Sequence, residues 1–187
     1  PRALGPVAGQ AGRVGQVDGR PGVAAGAVHL VDEAEGAPVD VAAQRDCPLI
    51  DMDRRRFVEL TVPEGQVIRA LRVCRDVLEF DFVVSLPVMK MHMHTGVSLA
   101  VKNMKGCLWR RSKVELHMLP PVVGSDDKPL DVAIADMSSV LRAHLAVIDG
   151  TVGLEGLGPS AGQAKPLDVV VVSGDPFAAD AVACRLM

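Results

Sequence analysis

The sequence predicts a single α/β domain, a mixed sheet with helices packed on it. Three observations lead there. Strand-like runs alternate with helix-like patterns from residue 82 to residue 187, the order that builds layered α/β domains. Apolar residues make up 49% and charged residues 23% of the 187-residue chain, enough for one buried core and too apolar for global disorder. Apolar runs are short, such as Val169 to Val172, so none is long enough to span a bilayer.

Taken in order, residues 1–46 are rich in Gly, Ala and Val without a sustained period, and read as an irregular stretch. Val28 to Val31 is a short strand candidate inside it. The core of the domain is placed at 47–187. Leu49 to Asp53 reads as a strand ending in carboxylates. Phe57 to Val62 alternates apolar and polar residues before the turn signal Pro63-Glu64-Gly65, and Val67 to Val73 pairs with it as a hairpin. Phe82 to Leu86 has the β-branched, apolar character of a buried central strand.

The spacing predicts a helix over Val97 to Met104, broken at Gly106. A second helix runs from Asp131 to His144, with Val132, Ala135, Met137, Val140 and Leu141 on one face. Leu145 to Ile148 is a short strand leading to Asp149-Gly150 and a glycine-rich loop, Gly153 to Pro159. Val169 to Val172 is a further strand. Asp175 is an N-cap and Pro176 the first residue of a last helix, which reaches Met187. The chain begins at Pro1 without an initiator Met and reads as a fragment of a longer protein.

Composition removes several function classes. Four Phe, one Trp and no Tyr leave too few faces for stacking bases, and a formal net charge of −3 lacks a general nucleic-acid footprint. No nucleic-acid partner and no membrane span are expected. Cys47, Cys74, Cys107 and Cys184 are scattered, without the two-residue spacing of a zinc ribbon or ferredoxin loop. They suit a reducing compartment, and the cytoplasm is the expected location.

The charge is unevenly spread. Residues 90–117 hold four of the six lysines, two arginines and one glutamate, a local charge of +5 against −8 elsewhere. His92, His94 and His117 share the window. Lys90 and His92 follow an apolar strand, and α/β sheets gather ligands at strand ends. Lys102 and Lys105 are three apart, so on a helix they share a face, with Asn103 beside them as an amide donor and acceptor. Such like charges are best accommodated around a phosphate, carboxylate or sulfate. A solvated basic face with lysine stems lying over the sheet is the plain structural alternative. The lysines disfavour a cation at the histidines, so no metal ligand is assigned.

Downstream, Asp149, Glu155, Gly156 and Asp175 are candidate ligand-binding groups, joined to Lys90, Lys102, Asn103, Lys105 and Lys113. Asp180 stands in an otherwise apolar helix and needs a partner, because an unpaired buried carboxylate is costly. A lysine of the window is the expected one. His92, His117, Lys102 and Asp180 are the candidate catalytic residues: proton transfer falls to the histidines, and Asp180 or Glu155 holds a lysine or histidine in register.

Four separated motifs carry a resemblance. They are Ser85 to His92 continuing through Thr95 to Cys107, then Lys113 with His117, then Asp149-Gly150 with Gly153 to Pro159, and Gly174 to Ala183. In this order they resemble the domain of unknown function 362 family. The resemblance implies an α/β domain often associated with ferredoxin-like iron–sulfur modules, with no settled common reaction. It also implies an N-terminal strand with a Lys-Pro-Asn element that this chain lacks. No cofactor is assignable from this sequence, and an iron–sulfur cluster would belong to the longer protein or to a partner. The leading expectation is an enzyme domain taking a small anionic metabolite or cofactor. The alternatives are a redox-accessory protein docking an iron–sulfur partner, and a non-catalytic ligand-binding module.

Overall fold

A computed structural model describes residues 50, 52–159 and 161–187. The Val28 to Val31 strand candidate lies outside them. The expected strand at Leu49 to Asp53 is replaced, over its described part, by a 3₁₀ turn, Met52–Arg54. The hairpin forms as expected: β1 (Phe57–Thr61) pairs antiparallel with β2 (Ala70–Cys74), Glu59 facing Arg72. Its inner residues Leu71 and Val73 are buried. A side chain at Gly65 would collide with the Ile68 carbonyl oxygen, so the turn requires glycine there.

The larger sheet has five strands, β3 (Val84–Ser85), β4 (Val88–His92), β5 (Gly96–Ser98), β6 (Leu145–Glu155) and β7 (Gln163–Ser173). β3 and β4 both run parallel to β6, at Leu145–Ala146 and at Asp149–Leu154. β7 pairs antiparallel with β6, and a strand has only two bonding edges. β3 and β4 therefore lie end to end on the opposite side of β6 from β7. β5 closes antiparallel on β4, which makes the sheet mixed.

The helices are α1 (Ala100–Asn103), α2 (Ser112–Glu115), α3 (Pro129–Val140) and α4 (Pro176–Leu186). Met89, Leu99, Ala100, Ala146 and Ile148 pack with Ala179 and Ala183 of α4 in one core. Val62, Leu71, Val73, Met104, Leu108, Leu130, Ile134 and Met137 belong to a second core joining the hairpin to α3. α1 links the two, with Ala100 in the first and Val101 packed on the second. Burial of each of these large apolar side chains is worth about 1.5–3 kcal/mol.

Several sequence expectations change. The strand at Phe82 to Leu86 contracts to two residues, because Pro87 has no N–H to give the ladder; its carbonyl instead accepts from Asp149 N at 2.9 Å. It is not buried on both faces: Leu86 and Val88 are exposed, as are Val170 and Val172 on β7, while the other sheet face packs on α1 and α4. The helix expected over Val97 to Met104 begins only at Ala100, since Val97 and Ser98 pair with β4. A 3₁₀ turn, Met104–Cys107, contains Gly106 instead of breaking there. α3 stops at Val140, and its buried stripe is Leu130, Ala133, Ile134 and Met137, with Ala135 exposed. β6 continues through Gly153 to Glu155, so the glycine loop begins only at Gly156.

Asp136 is 7% exposed on α3. Its carboxylate accepts from the backbone N–H of Gln66 at 2.9 Å, Val67 at 2.8 Å and Ile68 at 3.1 Å. It clamps the hairpin turn onto the helix and satisfies amides that would otherwise be costly to bury.

Candidate functional site

The site grows from the end of β4. Lys90 lies opposite Ser98, and His92 opposite Gly96, in the β4–β5 ladder. Side chains two apart on a strand share a face, as do directly opposed residues, so Lys90, His92 and Ser98 point the same way. Lys102, the third residue of α1, places its Nζ 3.4 Å from the Ser98 hydroxyl. His94, in the turn after β4, closes beside His92 with ring centroids 5.7 Å apart.

His117 arrives from a 3₁₀ turn, Leu116–Met118. Its ring is 6.4 Å from that of His92 and 5.6 Å from that of His94. Lys105 Nζ approaches His117 Nε2 at 2.6 Å; an ammonium can only donate, so a neutral His117 accepts there. Lys128, just before α3, donates to the His94 carbonyl at 3.4 Å. A cleft of about 210 Å³ lined by His94, Leu116, His117, Lys128, Pro129 and Leu130 opens beside the rings of His94 and His117.

His92 is 8% exposed. Burial, reinforced by the charges of Lys102, His94, His117 and Lys105, lowers its pKa from 6.5 to about 4. Burial and the positive charges of Lys105 and Lys102 also hold His117 below its ordinary value. Both rings are neutral near pH 7. His92 Nδ1 accepts from the His94 N–H at 3.1 Å, so its proton resides on Nε2 and that atom is a donor.

This depression ties stability to pH. The unfolded chain takes up the His92 proton near pH 6.5, whereas the folded chain resists until about 4. Stability is therefore full above pH 6.5 and falls by up to about 1.4 kcal/mol per unit as pH drops through that window. His92→Gln is expected to flatten this part of the curve, measured by urea unfolding at a series of pH values.

The other candidates are placed differently. Asn103 Nδ2 donates to the Ser85 hydroxyl at 3.1 Å, which donates to the Ala100 carbonyl at 3.1 Å; the amide fastens α1 to β3. Lys113, on α2, acts on the buried Cys107 thiol, and the charges depressing His92 and His117 do not include it. Asp149 accepts from the backbone and hydroxyl of Thr151. Glu155 pairs with Lys165. Asp175 caps α4 by accepting from Phe177 N at 2.9 Å, and it also binds Arg142.

The lysine expected beside Asp180 is replaced by backbone. Its carboxylate accepts from the N–H of Ala100 at 2.7 Å and of Val101 at 3.0 Å, amides that a helix start leaves without intrahelical partners. Burial raises its pKa and these two bonds oppose the rise. Asp180 thus positions the helix that carries Lys102. Asp180→Ala is expected to cost about 1–2 kcal/mol in urea unfolding, with Asp180→Asn intermediate because it keeps one acceptor.

The glycine loop buttresses the histidine segment. Gly158 accepts from Met93 N at 2.9 Å, and Gly156 N approaches Met91 Sδ at 3.2 Å. A side chain at Gly158 would strike the Met91 carbonyl oxygen. The sequence placed His94 in the window but gave it no site role, and did not point to Lys128. The alternation of His92 with His94 was a readable signal for the first; nothing local signalled the second.

Residues 21–185 match the model of the family described as Domain of unknown function (DUF362). The chain belongs to the domain of unknown function 362 family. The resemblance carried by the four motifs is confirmed, and the matched span begins inside the stretch read as irregular. This family member is 25% identical over 183 residues to Thylakoid-associated protein sll1697 of Synechocystis sp., with 87% of this chain and 55% of that protein covered. The chain thus spans about half the length of the curated relative it matches.

The resemblance also led to the expectation of an iron–sulfur association, which bears on the cysteines. A cluster needs several converging thiolates. Cys74 and Cys107 are buried in the hairpin core, where burial raises both thiols, Cys107 to about 12. Cys184 is exposed on α4, and Cys47 lies outside the described residues. The three described thiols, Cys74, Cys107 and Cys184, do not fit a cluster. Among the described residues no group of three or more His, Cys, Asp or Glu could hold a metal ion, and no helix is long and apolar enough to cross a membrane.

Proposed function

We propose that this domain binds a small molecule by its phosphate or carboxylate group at the His92, His94, His117, Lys102 and Lys105 cluster, and acts on it by proton transfer. The observation that supports this is the convergence of three imidazoles with the lysines that depress two of them. His92 Nε2–H and the two ammonium groups supply donors to an anion, and charge-assisted bonds of this kind are the strong ones. An arriving anion offsets the field of the lysines. His92 and His117 then become better bases while the molecule is bound, which is the property a general base needs.

Sulfate tests this reading, because its own charge is constant over the working range. At matched ionic strength, sulfate should raise the unfolding temperature above chloride. Its affinity should increase from about pH 8 to about pH 5.5 as bound anion drives proton uptake by the histidines. Equal stabilisation by sulfate and chloride, or an affinity indifferent to pH, would remove the proposal.

A further inference from the structure

We propose that the outer face of the β1–β2 hairpin docks an acidic segment of a partner protein, through an arginine surface built around Phe57 and Trp109. Three stretches contribute to it, 54–61, 70–79 and 108–111. Arg54, Arg55 and Arg56 come from the first, Arg72 and Arg75 from the second, and Arg110 and Arg111 from the third, against the carboxylates Glu59, Asp76 and Glu79. Half of the chain's fourteen arginines are here. All seven are exposed.

The fold brings the stretches together. Arg75 N donates to the Arg56 carbonyl at 2.9 Å, and Trp109 N to the Arg72 carbonyl at 2.8 Å. The indole N–H of Trp109 reaches the Arg55 carbonyl at 3.2 Å, and Val73 bridges to Leu108. Phe57 and Trp109 stack with centroids 4.4 Å apart. The chain's single Trp thus lies where the three arginine-bearing stretches meet, with Arg110 over its ring.

The aromatic faces decide which polyanion fits. Arg72 lies over the Phe57 ring at 5.8 Å and Arg110 over the Trp109 ring at 4.8 Å. With guanidinium groups on the rings, the pair is poorly placed to stack on nucleic-acid bases or to enter acyl chains. Guanidinium forks match carboxylates instead. Two of these arginines already bind carboxylates here: Arg55 donates to Asp76 Oδ1 through Nε at 2.9 Å and Nη2 at 2.6 Å, and Arg75 Nε donates to Glu79 Oε1 at 2.7 Å. Trp and Arg together also typify the energetic centres of protein interfaces. A cleft of about 190 Å³ whose lining includes Glu59, Arg72 and Glu115 bounds the patch.

The test uses a short labelled peptide of alternating Glu and Gly, titrated with the protein and followed by fluorescence anisotropy. Binding is expected at about 50 mM salt and should weaken at least about tenfold by about 300 mM. Arg72→Ala with Arg110→Ala should weaken it about tenfold or more. Arg72→Lys with Arg110→Lys, which keeps the charge and loses the fork, should fall between. Lys102→Ala with Lys105→Ala should leave peptide binding unchanged, which separates this surface from the anion site. The proposal is overturned if the peptide does not bind at low salt, or if the folded arginine variants bind it as wild type does. Tighter binding of a single-stranded oligonucleotide or phosphatidylglycerol vesicles through the same arginines overturns it equally.

Discussion

Replacing Lys102 and Lys105 together by alanine is expected to abolish the stabilisation of this domain by sulfate or phosphate. A hydrogen bond to a charged group contributes about 1.5–3 kcal/mol, so two lost ammonium donors correspond to a weakening of about a hundredfold or more. Wild-type protein at a hundred times its dissociation constant gains about 2.7 kcal/mol from the ligand, and the double variant should gain almost nothing at that concentration. The same substitution has a second signature. Lys102 and Lys105 are two of the causes lowering His92, after burial. The His92 titration, followed by NMR of its ring proton, should move up toward 6.5 without reaching it, because burial persists. A variant that loses sulfate binding while His92 stays near 4 would show that the lysines do not act on this histidine, and the site would need another explanation.

Asp136→Ala should produce the largest loss of stability. The carboxylate serves three backbone amides at Gln66, Val67 and Ile68, and its removal strands them beside a core that includes Val62, Ile68 and Met137. Each unsatisfied buried amide costs about 1–3 kcal/mol. Partial access to water at Gln66 reduces the sum, leaving about 3–5 kcal/mol, a large share of the stability of a typical domain. Asp136→Asn retains one acceptor oxygen and should lose about half as much. The measurement is the urea midpoint at constant slope. A loss below about 1 kcal/mol would mean that the hairpin turn finds water or other acceptors when the carboxylate is gone.

Asp136 and Asp180 also show where reading the sequence stops. Both are carboxylates on helices with apolar neighbours, and both serve amides far away in the chain: residues 66–68 for one, 100 and 101 for the other. Asp180 was readable as a group in need of a partner, but charge bookkeeping pointed to a lysine. Backbone amides have no signature in residue identity, so the true partner was invisible. The helix expected over Val97 to Met104 starts only at Ala100 for a related reason. Val97 and Ser98 fit either structure locally, and the ladder with β4 decided between them.

From sequence alone came the α/β class, the hairpin, the Asp175 cap, the family and the window that holds Lys90, His92, Lys102, Lys105 and His117. These rest on alternation, turn residues, local charge and motif order, all of which are properties of neighbours along the chain. Tertiary structure decided which members of that window meet. It joined His94 and Lys128 to the cluster, and committed Asp149, Glu155 and Asp175 to Thr151, Lys165 and the start of α4. It also lowered His92 to about 4, because desolvation and the lysine field depend on distance through space, which spacing along the chain does not give.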